Sequence, residues 1–425
     1  MSPSIETAPP ASWLTETVEI RRLQINSQLR QRTKTELGQF FSPGHVARLV
    51  ASKFKPIRGD VRLLDAGAGI GSLTAAFVER ILHDPTSVSS CELVAFEIDV
   101  DVVPFLRQCL EDCCRALLAC GIPARHYLHV SNFLHTVETP SPSLFPEMGD
   151  FAPTYTHAIL NPPYKKINST STTRKLLSEA GIETSNLYSA FVWLALLQLQ
   201  GGGELAAITP RSFCNGAYFR PFRQALLSKA ALDSVHLFES RSDAFSDDEV
   251  LQENLIFHLV RSDIPSESVT VCRSSGPDDE SATVMDVPFN EVVQPADPEK
   301  YIHIVADEFD AALKREMAGL PLTLQQLGLS VSTGPVVDFR MKAWLQFRAQ
   351  STEQNCPLTH PPTSGTLDIT GRCCLVPKPG FGGASSVLYF SRHRAFCAVV
   401  TSSPCAHRPA KSATHTPTPP QPAPR

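Results

Sequence analysis

A short segment of polar, rigid and aromatic residues, Asn161-Pro162-Pro163-Tyr164, follows an apolar run, 157–160, that is typical of a buried β-strand. The Asn161 side-chain carbonyl and the Pro162 backbone carbonyl can each accept a hydrogen bond from one N–H of an amino group. The prolines restrict the backbone, so both acceptors are held in place beforehand. The Tyr164 ring can stack on the plane that carries the amine. The segment indicates a clamp for a planar amine. A proline turn that leaves the strand without binding a ligand is the alternative, because it would have the same sequence pattern.

A glycine-rich turn lies upstream, at the end of the first strand of the predicted sheet. Asp65 is followed by Gly67, Gly69 and Gly71, and the next strand ends at Glu97. The glycines let the backbone turn tightly and let a ligand approach closely, and a carboxylate placed like Glu97 can accept hydrogen bonds from both hydroxyls of a ribose. These residues predict a site for a nucleoside-containing cofactor, and NAD would fit them too. A strand–helix turn with a capping acid is the alternative without a ligand.

Asn132 and Phe133 follow the third predicted strand, where an amide and a ring can read and pack the adenine of a cofactor. A turn with a packed Phe is the alternative.

Strands and helices alternate through this part of the chain, which predicts a mostly parallel sheet with helices on both faces. Ligands bind such sheets at the carboxyl ends of the strands, where all of these motifs lie. The predicted strands are 61–65, 93–97, 126–130, 157–160, 204–209, 234–238 and 254–260, and the predicted helices are 13–32, 45–54, 71–83, 101–120, 187–200 and 219–230.

Composition limits the class of protein. The chain has 425 residues, of which 42% are hydrophobic, so it can bury a large core over two or three domains. No apolar run reaches the roughly 18–20 residues of a membrane span, and the first residues lack a secretory signal. The twelve cysteines contain no Cys-x-x-Cys pair, so we expect no metal site. A net charge of −5 excludes a uniformly basic nucleic-acid binder but not a local basic groove. We expect a cytoplasmic protein without a membrane partner.

Taken in chain order, four motifs resemble those of gamma-class N6-adenine DNA methyltransferases: the loop from Gln39 to Pro43, the glycine turn, Glu97 and the segment 161–164. The stretches 174–199, 210–216 and 247–254 are similar to PstI-type modification enzymes of type II restriction–modification systems. The resemblance implies S-adenosylmethionine as the methyl donor, double-stranded DNA as the substrate and a cognate restriction endonuclease acting on the same site. It also implies a doubly wound, mostly parallel, seven-stranded α/β sheet of the Rossmann-like class I methyltransferase type.

The resemblance assigns roles to individual residues. On the cofactor, Phe41 and Ser42 would line the methionine end, Asp65, Gly67 and Gly69 would shape the amino-acid pocket, Glu97 would bind the ribose, and Asn132 with Phe133 would hold the adenine. Many relatives have Asp where this chain has Asn132, so an amide would replace a carboxylate there. Asn161, Pro162 and Tyr164 would hold a target adenine swung out of the duplex. Phe213 or Tyr218 would stack on the opposite face of that base.

The resemblance and the composition divide the chain into four parts. We expect residues 1–12 to be a disordered lead, 13–262 a methyltransferase domain and 263–346 a partial target recognition region. Residues 347–425 form a Pro/Cys-rich tail that we expect to be disordered, since the last 75 residues hold 12 of the 35 prolines and no regular apolar period.

The resemblance stops near Leu345. We therefore expect a truncated recognition domain with an aberrant end, as a shifted reading frame would produce. Two other functions stay open. One is a methyltransferase acting on a protein glutamine or a guanine amine, because those families use a similar clamp. The other is a catalytically impaired DNA-binding remnant.

Overall fold

The computed structural model describes residues 13–28, 41–137, 154–168, 171–179, 181–238, 254–277, 279 and 281–304, single positions and short runs between 309 and 333, and the segments 385–388 and 398–402. The predicted lead, residues 39 and 40 of the predicted cofactor loop, and most of the predicted tail lie outside these residues. The chain divides into two compact units, Met1–Ala312 and Leu313–Arg425.

The first unit is built on one large sheet. Its strands, in chain order, are β1 (Gly59–Ala66), β2 (Val88–Glu97), β3 (Ala124–Val130), β4 (Tyr155–Leu160), β5 (Leu199–Pro210), β6 (Ala230–Phe238), β7 (Asn254–Arg261), β8 (Ser268–Ser274) and β9 (Thr283–Pro288). They lie in the order β3-β2-β1-β4-β5-β7-β6-β8-β9. β7 is antiparallel to β5 and β6, β9 is antiparallel to β8, and the other pairs are parallel.

The doubly wound α/β class is confirmed, but the strand count was wrong, because the described sheet has nine strands rather than seven. All seven predicted strands are present, each one to six residues longer than its predicted range. The two further strands, β8 and β9, come from residues that the sequence assigned to the recognition region. They extend the sheet beyond β6, whose outer edge would otherwise be unpaired.

Eight helices are described in the first unit. They are α1 (Trp13–Gln28), α2 (Gly44–Ala51), α3 (Ser72–His83), α4 (Val103–Ala119), α5 (Thr172–Glu179), α6 (Leu187–Gln198), α7 (Arg220–Lys229) and α8 (Phe289–Val292). The six predicted helices are all present, and α5 and α8 were missed because both are short. None of the described helices is long and apolar enough to cross a bilayer.

The second unit has a separate three-stranded antiparallel sheet. Its strands are β10 (Leu329–Thr333), β11 (Ser385–Leu388) and β12 (Ala398–Ser402), with β12 in the centre. β11 and β12 lie in the range for which the composition predicts disorder.

The large sheet separates two apolar cores. Successive residues of a strand point to opposite faces, so Leu63 and Ile159 enter one core and Leu64 and Leu160 enter the other. Helices α1 to α4 cover the first core, and α6 and α7 cover the second. Both faces of a parallel sheet are covered in this way, which explains why β1 and β4 are apolar runs rather than alternating ones. Polar side chains are therefore concentrated at the strand ends.

A buried histidine bridges two acids on neighbouring strands. His258 of β7 is fully buried, with Nε2 2.8 Å from Glu204 Oε2 and Nδ1 3.0 Å from Asp233 Oδ2. Lys55 Nζ lies 2.9 Å from the other Asp233 oxygen. Burial lowers the pKa of His258, but the hydrogen bonds to Asp233 and Glu204 and their charges outweigh it, so the pKa is raised above its ordinary value. His258 thus joins β5, β6 and β7 through these two contacts.

The His258 bridge predicts a pH-dependent stability. Its raised pKa means that the stabilisation is fully present below 6.5, the ordinary value, and is lost as pH rises through the value in the folded protein. We expect the free energy of unfolding, measured by urea denaturation from pH 6 to 9, to decline with pH in the wild type. His258→Gln should flatten this decline, and the exposed-site control His135→Gln should keep it. An unchanged slope in His258→Gln would contradict the assignment.

Candidate functional site

The strand order brings three strand ends together. β1 lies between β2 and β4, and Asp65 near its end pairs with Ala95 on one side and with Ile159 on the other. The chain moves outward from β1 to β3 and then returns to β4 on the other side of β1, which makes this edge a topological switch point. Ligands of open α/β sheets bind in the crevice at such a point.

The glycine turn after β1 can be made only with glycine. Gly67, Gly69 and Gly71 have φ values of +79°, +56° and +91°, in the left-handed region that disfavours other residues. A Cβ on Gly69 would lie 2.9 Å from the Phe41 ring, and one on Gly71 would lie 2.6 Å from Cys109 Sγ. The structure thus brings the predicted residue Phe41 against the turn.

Glu97, at the end of β2, holds the same turn. Its Oε2 accepts the backbone N–H of Gly69 at 2.8 Å, and its Oε1 accepts those of Ile98 and Asp99 at 2.8 Å each. Burial raises the pKa of Glu97 and outweighs the opposing effect of these hydrogen bonds. The glycine turn and the end of β2 are therefore fixed to one another through a single carboxylate.

Asp65 is a buried carboxylate, and only one of its two oxygens has a hydrogen-bond partner among the described residues. Its Oδ2 accepts a hydrogen bond of 2.6 Å from the Thr74 hydroxyl, whereas Oδ1 is buried and has no hydrogen-bond partner among the described residues. Burial and, secondarily, the charge of Glu97 raise the pKa of Asp65 to about 7, although the Thr74 bond opposes this. A buried acceptor without a partner is costly unless a ligand supplies a donor.

Phe133 lies beside the turn, within the second core. Its ring packs between those of Phe96 and Phe191, with centroids 5.2 and 5.4 Å away. Phe191 of α6 was missed by the sequence analysis, yet its Cε1 would lie 3.4 Å from a Cβ on Gly67. Because α6 is apolar on all sides, nothing in its sequence distinguishes the ring that faces the turn. Asn132 Oδ1 accepts the N–H of Leu134 at 3.0 Å and so caps the turn that follows β3.

The predicted amine clamp is joined directly to the predicted cofactor loop. Asn161 Nδ2 donates to Ser42 Oγ at 2.9 Å, although the two residues are 119 positions apart. The Tyr164 hydroxyl lies 3.1 Å from Asn161 Oδ1 and 3.3 Å from the Ile208 carbonyl. Burial raises the pKa of Tyr164, so this hydroxyl remains a donor. Ser42 thus fixes the orientation in which Asn161 presents its carbonyl oxygen as an acceptor.

Two further rings support Tyr164. Tyr188 packs edge-on against it with centroids 6.3 Å apart, and Phe219 packs on Tyr188 at 5.5 Å. The Tyr188 hydroxyl lies 3.2 Å from Ser212 Oγ. The clamp is therefore backed by α6 and by the loop 211–219 that follows β5.

The structure does not bring Phe213 to the clamp. Its ring is 3% exposed and makes edge contacts with Phe222 and Phe257 at 5.7 and 5.4 Å. The expected stacking role fails on this geometry, because the ring is part of the core between α7 and β7. Tyr218, the other ring considered, is 85% exposed. Sequence alone does not separate the two, since both are aromatic residues of one loop.

Comparisons with known proteins identify relatives of this chain. The family model of the Eco57I restriction-modification methylase matches residues 141–245, which include the clamp. The chain is 43% identical over 326 residues to the type II methyltransferase M.PstI of Providencia stuartii, across 76% of this chain and 63% of M.PstI. It is 43% identical over 352 residues to the type II methyltransferase M.BsuBI of Bacillus subtilis, across 81% of this chain and 67% of M.BsuBI.

The chain belongs to the type II methyltransferases of restriction–modification systems. It spans 63% of the length of M.PstI. Among solved structures, a DrdV–DNA complex is 14% identical, with a TM-score of 0.47, over 69% of this chain and 34% of that one. The assignment to the family rests on the two sequence relatives.

The contact between Gly69 and Phe41 predicts an unequal response of two glycines to the same substitution. Gly121 has a φ of +80° with open space around it. Gly121→Ala should therefore lower the free energy of unfolding only by the strain of a left-handed alanine, about 1–2 kcal/mol. Gly69→Ala adds a collision with the Phe41 ring, so it should lower the free energy of unfolding by about 1–3 kcal/mol more than Gly121→Ala does. Urea denaturation measures both values, and equal losses would rule out the packing of Phe41 on the turn.

Proposed function

We propose that this protein transfers a methyl group from S-adenosylmethionine to the N6 amine of a flipped-out adenine in double-stranded DNA. It would be the modification enzyme of a restriction–modification system, with a cognate endonuclease acting on the same site. The observation that carries the proposal is the orientation of Asn161. Ser42 holds its Nδ2 group, so its carbonyl oxygen is presented as an acceptor next to the glycine turn.

The residues at the switch point fit S-adenosylmethionine. The partnerless Asp65 oxygen suits a ligand ammonium, and a buried carboxylate there would repel the pyrophosphate of NAD. Glu97 would take the ribose hydroxyls, Ser42 and Phe41 would face the methionine end, and Asn132 would face the adenine beside Phe133. When bound, S-adenosylmethionine supplies a methyl group on a positively charged sulfur.

The clamp would act on the amine of the target base. Asn161 Oδ1 and the Pro162 carbonyl each accept one N–H, which draws the nitrogen toward a tetrahedral geometry and frees its lone pair. Tyr164 stacks on the base, which must leave the duplex to reach these groups. Positioning provides most of the rate enhancement, so no side chain with a shifted pKa is required at the amine. Tyr218, the exposed ring of the loop 211–219, replaces the buried Phe213 as the candidate for the opposite face.

Two observations favour DNA as the substrate. Both sequence relatives are named type II methyltransferases, and the family model that matches residues 141–245 is that of a restriction-modification methylase. Lys165 and Lys166 are exposed directly after the clamp, where phosphates of a duplex would approach. Residues 263–346, which follow the catalytic strands, would contribute to recognition of the DNA site. A protein glutamine and a guanine amine offer the same two N–H donors, so they remain outcomes of the test.

The test is methyl transfer from tritiated S-adenosylmethionine to phage DNA that lacks adenine methylation, followed by mass spectrometry of the digested nucleosides. We expect label in DNA and N6-methyladenine as the product. Asn161→Ala and Tyr164→Ala should slow the transfer by roughly 100-fold or more while cofactor binding persists. Label in methylguanine or in protein would overturn the adenine assignment, and wild-type turnover in Asn161→Ala would overturn the clamp.

Tyr164→Phe separates the ring from the hydroxyl. The hydroxyl now lies at Asn161 Oδ1, the acceptor that the base amine would use. Removing it leaves the stacking ring and frees the acceptor, so we expect Tyr164→Phe to retain methyl transfer within about threefold of wild type. A loss as large as that of Tyr164→Ala would show that the hydroxyl itself takes part.

Asp65 predicts a pH-dependent affinity for the cofactor. With its pKa raised to about 7, the ionised form that attracts an ammonium is lost as pH falls through neutrality. Binding of S-adenosylhomocysteine, measured by calorimetry, should weaken about five- to tenfold from pH 7.5 to 6. Asp65→Asn should bind weakly at both pH values, and Asp60→Asn, on the exposed start of β1, should behave like wild type. Equal wild-type affinities at the two pH values would contradict the role of Asp65.

A further inference from the structure

A buried arginine lies behind the clamp and outside the roles described above. Arg223 of α7 is fully buried, and among the described residues its guanidinium donates hydrogen bonds to backbone carbonyls alone. Nη1 donates to Phe213 O at 2.9 Å and to Gly216 O at 2.7 Å, while Nε and Nη2 both donate to Glu299 O, at 3.0 and 2.9 Å. The guanidinium also lies over the Tyr301 ring, 4.8 Å from its centroid.

Burying the charged side chain of Arg223 at this position costs stability. Burial lowers its pKa, and the carboxylate of Glu299 pairs instead with Arg220, at 3.0 Å. A buried charge that is satisfied by neutral carbonyls stabilises a core less than an apolar side chain of similar volume. What the guanidinium provides is a rigid, planar set of donors that fixes several acceptors at once. Its contribution is therefore geometric.

The carbonyls that Arg223 fixes belong to the loop behind the clamp. Phe213 and Gly216 lie in the loop 211–219, and Glu299 lies in the segment 297–302. The same two segments are joined by the Ile302 N–H, which donates to the Cys214 carbonyl at 2.9 Å. Without the guanidinium, the backbone carbonyls of Phe213, Gly216 and Glu299 would lose this hydrogen-bond donor.

The loop in turn determines the position of the rings. Ser212 lies 3.2 Å from the Tyr188 hydroxyl, Phe219 packs on the Tyr188 ring, and Tyr188 packs against Tyr164. A displacement of the loop therefore reaches Tyr164 through one intervening ring. The loop, Tyr188 and Tyr164 are thus connected by direct packing and by one hydrogen bond.

We propose that Arg223 is a positioning residue of the amine clamp. It ties the segment 297–302 to the loop 211–219 and thereby holds Tyr188 and Tyr164 in the orientation that receives the target base. Its effect on methyl transfer rests on the proposed function, whereas its effect on the loop does not.

The test compares Arg223→Lys, which keeps the charge but loses the fork, with Lys229→Gln, which removes only the exposed ion pair with Asp263 at the other end of the same helix. Hydrogen–deuterium exchange should rise at least about threefold in peptides from 211–219 and 297–302 of Arg223→Lys, with β1 and β4 unchanged. Affinity for S-adenosylhomocysteine should stay within about twofold, while kcat for phage DNA should fall about tenfold or more. Lys229→Gln should match wild type in all three measurements.

Each outcome decides the proposal. The proposal would be overturned by unchanged exchange in 211–219, or by raised exchange together with a wild-type kcat. It would also be overturned by an equal rise of exchange in β1 and β4, because that would indicate general destabilisation. If Arg223→Lys does not fold, Tyr301→Leu removes only the ring contact and should shift exchange and kcat in the same direction by a smaller factor. A wild-type protein that methylates no DNA would overturn the proposed function, and the exchange measurement would then decide the role of Arg223 alone.

Discussion

The parallel register of β1 with β2 and β4 determines where the functional side chains of this protein lie. Asp65 is level with Ala95 and Ile159, so the segments that leave the three strands emerge at one edge of the sheet. Both faces of these strands are covered by helices, which leaves the strand ends as the places where polar groups can be accommodated. This arrangement places Asp65, Glu97 and Asn161, the residues of the candidate site, at one edge of the sheet.

The glycine turn at that edge is held from both sides of the sheet. Phe41, which belongs to the first core, closes on Gly69, and Phe191, which belongs to the second, closes on Gly67. Glu97 fixes the turn to β2 through the Gly69 N–H. A backbone confined in this way loses little freedom when a ligand binds, so more of the interaction energy contributes to affinity.

The sequence predicted the elements well because their signals are local. Strands β1 to β7 and six of the eight helices follow from apolar runs and periodicity, and Asp65, Glu97 and Asn161 follow from their places at strand ends. Contacts between distant segments have no such signal. The Ser42–Asn161 hydrogen bond spans 119 positions, and the role of Arg223 depends on backbone carbonyls, which every residue has. Phe213 was misplaced because residue type does not tell which way a ring on a loop points.

The hydrogen bond from Tyr164 to Asn161 bears on the energetics of the proposed reaction. A base amine that enters the clamp replaces the Tyr164 hydroxyl at Asn161 Oδ1, so one hydrogen bond is exchanged for another and little net energy is gained there. Extracting a base from the duplex requires a few kcal/mol. That energy must come from stacking on Tyr164 and from contacts with the DNA backbone. The rings behind Tyr164 therefore matter more for capturing the base than the acceptors, whose contribution is made in the transition state.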